Sequence, residues 1–131
     1  MPFDLSPEEL SEDSIRDAAA QDYMNRAQLE FFRLRLAGMR DELLQRQAQR
    51  RAQITSAESE SDMNDRATRA EEEFVATALR EREQRELDAI DAALRRIATG
   101  EYGWCERTGE EIGIARLLAQ PTARTVVRKA A

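Results

Sequence analysis

The sequence predicts a mainly α-helical protein in which a long antiparallel coiled-coil hairpin projects from a small globular head. Two segments place apolar residues at steps of three and four, from Leu29 to Leu43 and from Leu87 to Ile97. That spacing puts the apolar residues on one stripe of each helix, and two stripes joined by a turn can bury each other. The polar turn between them, residues 61–67, is expected at the far end of the hairpin.

The N-terminal and central segments differ in their periodicity. Residues 1–22 are acidic and weakly periodic. Ser6-Pro7-Glu8-Glu9 forms a capping pattern that predicts a short helix to about Ile15, with a partly disordered tail as an equal alternative, and either form could pack on the head. Residues 23–98 are expected to form the coiled coil, with its tip at 58–67.

The last segment, residues 99–131, is expected to form the head. It holds all but one of the five glycines, the only tryptophan and the only cysteine. Thr99-Gly100 is typical of a helix end, and Pro121 predicts a final short helix through Val126 and Val127. These features place a compact unit at the base of the hairpin.

The composition favours a protein partner over a nucleic acid. Of the 131 residues, 35% are charged and 5% are aromatic, and the formal net charge is -6. Charged, aromatic-poor sequences suit exposed helices better than a thick core. Because binding to a nucleic-acid backbone needs Lys and Arg to displace counterions, direct sequence-specific DNA binding is not expected.

The residue types also limit catalysis and location. The chain has no histidine and one cysteine, Cys105, so no nucleophile–base pair is visible and an enzyme is not expected. An unpaired cysteine indicates a reducing compartment. Since no apolar run approaches a membrane span and the N-terminus lacks the pattern of a signal peptide, we expect a cytoplasmic protein that makes no membrane contact.

The distal half of the hairpin is polar, and its tip is acidic. Residues 45–53 and 81–86 are almost wholly polar apart from alanines, which suggests that this half works in a wet or charged place. At the tip, Asp62 and Asp65 have a local interpretation as caps of the second helix. A functional interpretation of the same carboxylates stays open at this point.

Several stretches carry a resemblance to a known family. They are Tyr23–Leu29, Asp62–Ala67, Gly103–Glu106, Gly109–Leu117 and Gln120–Ala123. In order and spacing they resemble the DksA/TraR family of bacterial transcription factors. The resemblance extends from about residue 23 to the end of the chain.

The resemblance implies both a fold and a function. It implies a coiled coil on a small zinc-finger-like head, and a factor that binds RNA polymerase as a monomer and inserts the coiled coil into the secondary channel. The implied outcome is of the stringent-response type: inhibition of ribosomal RNA promoters and activation of some biosynthetic promoters. Carried over to this chain, the functional tip is Asp62, Asp65 and Ala67.

The head departs from the family's zinc site. The family holds zinc with four cysteines, and the matching positions here are Cys105, Thr108, Val126 and Lys129. One thiolate with these three partners cannot close a tetrahedral zinc site. From this we expect no metal, a vestigial site and no cofactor.

A second departure concerns guanosine tetraphosphate, which in the family binds through basic side chains. The matching positions are Ala89 and Gln120, and neither can pair with phosphate. Arg82, Arg95 and Arg96 are the candidates for nucleotide or polymerase contacts. The response to the nucleotide is left open.

Two other functions compete with initiation control. One is a secondary-channel factor of the transcript-cleavage type, in which tip carboxylates stimulate the polymerase's own hydrolysis; a cleavage assay would separate the two. The other is a structural coiled-coil adaptor without polymerase activity. An adaptor predicts self-association along the apolar seam, whereas the main interpretation predicts a monomer.

Overall fold

The computed structural model describes residues 10–17, 20–60 and 66–127, and within them it is mainly helical. The described residues form four α-helices, with a short 3-10 turn at Ala20–Asp22 between the first two: α1 Glu12–Asp17, α2 Arg26–Glu60, α3 Arg66–Thr99 and α4 Ile114–Ala119. The described part holds no strand, only an isolated antiparallel bridge between Trp104 and Glu111. The mainly α fold class predicted from the sequence is confirmed.

Helices α2 and α3 pack against each other as the two arms of the hairpin. The 35 residues of α2 extend about 52 Å at the usual rise of an α-helix. Helix α2 starts where it does because the Asn25 side chain accepts a hydrogen bond from the amide of Gln28 at 2.8 Å, which satisfies a donor that the helix itself cannot.

The packed seam is confined to the half of the hairpin nearest the head. Phe32, Leu36, Leu43 and Ile90 are fully buried there. Further out, apolar side chains lie in solvent: Ile54 is 39% exposed, and Phe74 and Val75 are 76% and 65% exposed. The burial therefore follows the sequence pattern, with a firm base and a loosely packed distal half.

The head has its own small core, which is continuous with the base of the hairpin. Tyr102 is fully buried, its ring lies 5.6 Å from that of Phe32, and its hydroxyl donates to the Pro121 carbonyl at 2.8 Å. Leu117 of α4 and Ile112 complete the core beside it. One hydrophobic cluster thus joins head and hairpin, which fixes the direction in which the hairpin projects.

The N-terminal helix begins later than the sequence pattern predicts. The capping pattern at residues 6–9 lies outside the described residues. Helix α1 starts at Glu12, where Ser11 Oγ accepts from the amide of Ser14 at 3.2 Å. Its one buried residue, Ile15, faces α2 and α4, against which α1 packs.

The prediction of a helix that begins at Pro121 is wrong for residues 121–127, the described part of that segment, because the chain forms turns there and no helix. The short helix of the head is α4, which ends just before this proline. Gln120 is extended, with φ -143° and ψ 89°, as expected for a residue that precedes proline. The proline therefore ends a helix here and does not begin one.

None of the helices in residues 10–17, 20–60 and 66–127 is both long and apolar enough to cross a membrane.

Candidate functional site

The junction between hairpin and head is built around Tyr23. Its hydroxyl donates to the carbonyl of Gly103 at 2.7 Å and accepts from the amide of Gly113 at 2.9 Å. The ring packs edge-on against Trp104, with 5.2 Å between centroids. Burial raises the pKa of Tyr23, so the hydroxyl stays protonated and keeps donating at neutral pH.

Glycine is required where the head approaches the hairpin. Gly103 has φ +91°, a conformation that side chains rarely adopt. A Cβ there would lie 2.6 Å from the sulfur of Met24 and 3.2 Å from the Tyr23 hydroxyl. The absence of a side chain thus lets the backbone of the head come close to the first residues of the hairpin.

Cys105 lies in a tight turn of the head. Its amide donates to the carbonyl of Glu110 at 2.7 Å, and its carbonyl accepts from the amide of Gly109 at 2.9 Å. The side chain is 4% exposed. The Thr108 hydroxyl and, next, the amide of Val126 hydrogen-bond to the sulfur and lower the pKa of Cys105 to about 7, because they favour the thiolate.

The structure therefore brings three of the four positions matched to the zinc ligands into one place. The Thr108 hydroxyl and the amide of Val126 lie near enough to the Cys105 sulfur to lower its pKa. Lys129 lies outside the described residues. The head keeps the turn that presents the first ligand position, although the side chains differ from the family's set.

The three arginines proposed as contacts are not equivalent. Arg96 donates to the carbonyl of Trp104 at 2.6 Å and of Glu101 at 3.2 Å, and its side chain is only 12% exposed. It also lies 3.8 Å from the carboxylate of Glu106. Arg96 therefore holds the end of α3 to the head, whereas Arg82 and Arg95 are exposed on α3.

A polar layer crosses the hairpin about halfway along. Arg50 of α2 donates to both carboxylate oxygens of Glu83 on α3, at 2.6 and 2.9 Å. Gln47 reaches the same carboxylate at 3.5 Å, and Glu83 is only 5% exposed. The hydrogen bonds from Arg50 are the main reason why the pKa of Glu83 is lowered. This carboxylate is held charged inside the seam.

The two aspartates assigned to the tip, Asp62 and Asp65, lie outside the described residues. Ala67 is described and is exposed in the first turn of α3. The exposed Glu71, Glu72 and Glu73 follow it on the same helix, so the described start of α3 is acidic. Ala67 and these three glutamates belong to the described part of the hairpin that is farthest from the head.

Two family models account for nearly all of the hairpin and most of the head. Residues 28–97 match the model for the DnaK suppressor protein DksA, N-terminal domain, and residues 100–125 match the prokaryotic dksA/traR C4-type zinc finger. The chain belongs to the DksA family. The first match covers more than half of its length, and the resemblance seen in the sequence is confirmed.

Individual relatives agree with this assignment. The RNA polymerase-binding transcription factor DksA of Caulobacter vibrioides is 37% identical over 109 residues, which cover 82% of this chain and 77% of the relative. The protein of the same name from Escherichia coli K12 is 36% identical over 112 residues, which cover 82% of this chain and 72% of that relative. Transcription factor DksA2 from Pseudomonas aeruginosa matches in structure with a TM-score of 0.80, at 42% identity and 88% coverage of both chains.

The expectation that the head has no cofactor is wrong in the light of the second match. A C4-type zinc finger over residues 100–125 points to zinc binding by this family's head. Cys105 is the one cysteine of the chain and the thiolate that a zinc ion would take. The full four-thiolate set is not present, and residues 10–17, 20–60 and 66–127 contain no group of three His, Cys, Asp or Glu placed to hold a metal ion.

Sequence reasoning missed two features that organise the site. Tyr23 gave no signal for its bonds to the head, because Gly103 is 80 positions away in the chain. The polar layer did leave a signal: Arg50 lies one heptad after Leu43, and Glu83 one heptad before Ile90. Both charges therefore continue the apolar stripes, which is unusual for residues that only face solvent.

Proposed function

We propose that this chain is a transcription factor that binds RNA polymerase directly, inserts its hairpin into the secondary channel and modulates initiation. In this proposal residues 23–98 are the inserting arm and residues 99–131 are the docking head. The chain performs no chemistry of its own. It inhibits ribosomal RNA promoters and activates some biosynthetic promoters, as a factor of the stringent-response type.

The observation that supports this proposal is the joint match of hairpin and head to the DksA family, at residues 28–97 and 100–125. The relatives from Caulobacter vibrioides and Escherichia coli are named for binding RNA polymerase. A hairpin about 50 Å long with a polar distal half has the shape and surface needed to enter a narrow, hydrated channel. We therefore assign polymerase as the partner of this chain.

The proposed active part is the tip, with Asp62, Asp65 and Ala67. The physical reason for this assignment is the length of the hairpin, since the tip is the only part of it that could approach a catalytic centre buried inside the polymerase. Arg82 and Arg95, both exposed on α3, are the proposed contacts with polymerase along the way. Arg96 instead supports the head from within, because its guanidinium is already held by two backbone carbonyls.

The proposed factor acts as a monomer and does not recognise a DNA sequence. The apolar stripes of α2 and α3 cover each other within one chain. Near the base, therefore, no large apolar surface of the described seam is left for a second copy to bind. The net charge of -6 opposes a direct grip on phosphates. Polymerase is then the route by which the chain reaches a promoter.

The test measures polymerase binding and promoter output on the same variants. Purified chain should be retained by core RNA polymerase and should inhibit a ribosomal promoter in transcription with purified components. Asp62→Asn and Asp65→Asn should still bind and compete with wild type, yet should lose inhibition. Asp41→Asn, which changes an exposed carboxylate at the base of α2, is the matched control and should behave as wild type.

Three outcomes would contradict the proposal. If the wild-type chain failed to bind polymerase, the proposed function would be wrong and the coiled-coil adaptor would be favoured. Full inhibition by both tip variants would reduce the aspartates to helix caps. Stimulated cleavage of a stalled transcript, with no effect on initiation, would assign the tip to the cleavage-type function instead.

A further inference from the structure

The seam of the hairpin changes character at the layer of Arg50 and Glu83. On the side of the head, buried Leu43 and Ile90 form the neighbouring layers, and both are fully shielded from solvent. On the side of the tip, Ile54 is already 39% exposed. The pair thus lies at the boundary between the packed base and the loose distal half.

Among the described side chains beyond this boundary, little apolar contact holds the two helices together. A groove of ≈ 220 Å³ opens beside the pair and is lined on its distal side by Ile54 and Ala76. Phe74, close to the tip, is 76% exposed. Since the burial of apolar side chains is what normally holds two paired helices together, the distal half needs another interaction to align its helices.

The Arg50–Glu83 contact is suited to supply that alignment. It is bidentate, at 2.6 and 2.9 Å, so it is directional, and its carboxylate is shielded, since Glu83 is 5% exposed while the Arg50 side chain is 31% exposed. By contrast, the ion pair between Arg40 and Asp91, which also crosses the hairpin, forms one bond at 2.9 Å. Its side chains are 40% and 35% exposed. Buried polar layers are known to fix register in coiled coils, whereas exposed pairs contribute little.

The sequence makes a slipped register of the hairpin costly at this layer. The residues one helical turn from Glu83 along α3 are Leu79 and Leu87. A slide of α3 by one turn in either direction would oppose Arg50 to a leucine and break its bidentate contact with Glu83, whose carboxylate would then face Ile54 or Arg46 of α2. Losing a shielded bidentate pair is unfavourable, whereas the apolar layer of Leu43 and Ile90 tolerates a slide in the direction in which Leu94 replaces Ile90.

We propose that Arg50 and Glu83 are positioning residues that lock the register of the distal hairpin and so set where the tip is presented. This inference rests on the proposed function, since it gives the pair a role in delivering the tip inside polymerase. Stability alone does not explain the pair, because apolar residues would hold a coiled coil at least as firmly. What the ion pair adds is a single alignment.

The experiment replaces the pair with an apolar layer and separates register from stability. Arg50→Leu with Glu83→Leu should keep or raise the melting temperature. In ¹⁵N–¹H correlation spectra, wild type should show one set of amide signals for residues 66–82, and the double variant should show two or more. Arg40→Leu with Asp91→Leu is the matched control, because it makes the same chemical change in a pair that lies among apolar layers, and it should keep a single set.

The functional arm uses the same proteins. The apolar double variant should bind core RNA polymerase as wild type does but should require about tenfold more protein for half-maximal inhibition of a ribosomal promoter. Glu83→Gln is a second variant that keeps the shape of the side chain, and it should speed amide exchange at residues 66–82 by about tenfold while the base stays protected.

The results distinguish this inference from the proposed function. A single set of signals together with unchanged inhibition in the apolar double variant would overturn the positioning role. So would unchanged amide exchange in Glu83→Gln. If wild type itself failed to inhibit, the proposed function would fall, and the spectra would still decide whether the pair sets the register.

Discussion

The hydroxyl of Tyr23 donates a 2.7 Å hydrogen bond to the carbonyl of Gly103 and so joins two residues that are 80 positions apart. The same oxygen accepts from the amide of Gly113. One side chain at the start of the hairpin therefore holds two backbone groups of the head. The direction of the hairpin relative to the head depends on this oxygen as well as on the shared apolar core.

Tyr23→Phe should loosen the head without unfolding the hairpin. The change removes only the hydroxyl and leaves the Gly113 amide without its acceptor, which costs about 1–3 kcal/mol for a buried group left unsatisfied, whereas the Gly103 carbonyl still accepts from the amide of Ile112 at 2.9 Å. The free energy of unfolding in urea should fall accordingly. Amide exchange should quicken at Gly113, whose N–H loses its acceptor.

Tyr102→Phe is the control for this prediction. It removes a hydroxyl that donates to Pro121 within the head, so it should also lower stability. It should leave exchange at Gly113 unchanged while Tyr23 is intact. Equal exchange at Gly113 in both variants would show that the Tyr23 hydroxyl does not hold this part of the head.

The sequence predicted the parts of this fold that depend on local periodicity. Stripes at steps of three and four are enough to specify two long helices that bury one another, and the burial of Leu36 and Leu43 follows them. The final helix was misplaced because a proline can open a helix or follow one, and only the extended backbone of Gln120 decides between the two. Local pattern carries no information on that choice.

The candidate site was less predictable for a different reason. A partner across the hairpin depends on register, which a single sequence does not give, so the contact between Arg50 and Glu83 could not be read from either residue alone. The burial of Arg96 against the head is likewise a tertiary effect. The zinc expectation was wrong because it counted ligands, whereas the match over residues 100–125 rests on the whole pattern of the head.

Stability should be concentrated in the base of the hairpin. Leu36→Ala should cost about 2–5 kcal/mol, because the side chain is fully buried and the space it leaves can close only in part. Ile54→Ala, at a site that is 39% exposed, should cost clearly less. Chemical unfolding of both variants measures the difference. Equal losses would contradict the confinement of the packed seam to the base.

Gln28 should be needed to dock α1 on the hairpin. Its side chain accepts from the amide of Met24 at 2.6 Å and donates to the carbonyl of Ile15 at 3.0 Å, and it is 2% exposed. Gln28→Leu keeps much of the volume but leaves both backbone groups without a partner, so α1 should detach. Proteolysis near residues 12–17 should become faster. Arg35→Leu, which breaks the exposed pair of Arg35 with Glu12, is the control and should have a small effect.

The acid response of the hairpin should depend on Glu83. Hydrogen bonds from Arg50 lower the pKa of this carboxyl in the folded chain. A group whose pKa is lower in the folded than in the unfolded state stabilises the fold above its unfolded pKa, about 4.3 for glutamate, and loses that contribution as the pH falls through the folded pKa. Glu83→Gln has no such group to titrate.

The stability difference between wild type and Glu83→Gln should therefore depend on pH in one direction. It should be constant from pH 7 to about pH 5 and should narrow below about pH 4.3, as the unfolded carboxyl of wild type takes up its proton. Glu30, whose pKa is lowered by Arg33, is present in both proteins, so its contribution cancels in the difference. Urea unfolding at several pH values measures this quantity. A difference that stays constant down to pH 3 would mean that the Glu83 carboxylate gains nothing from Arg50 on folding.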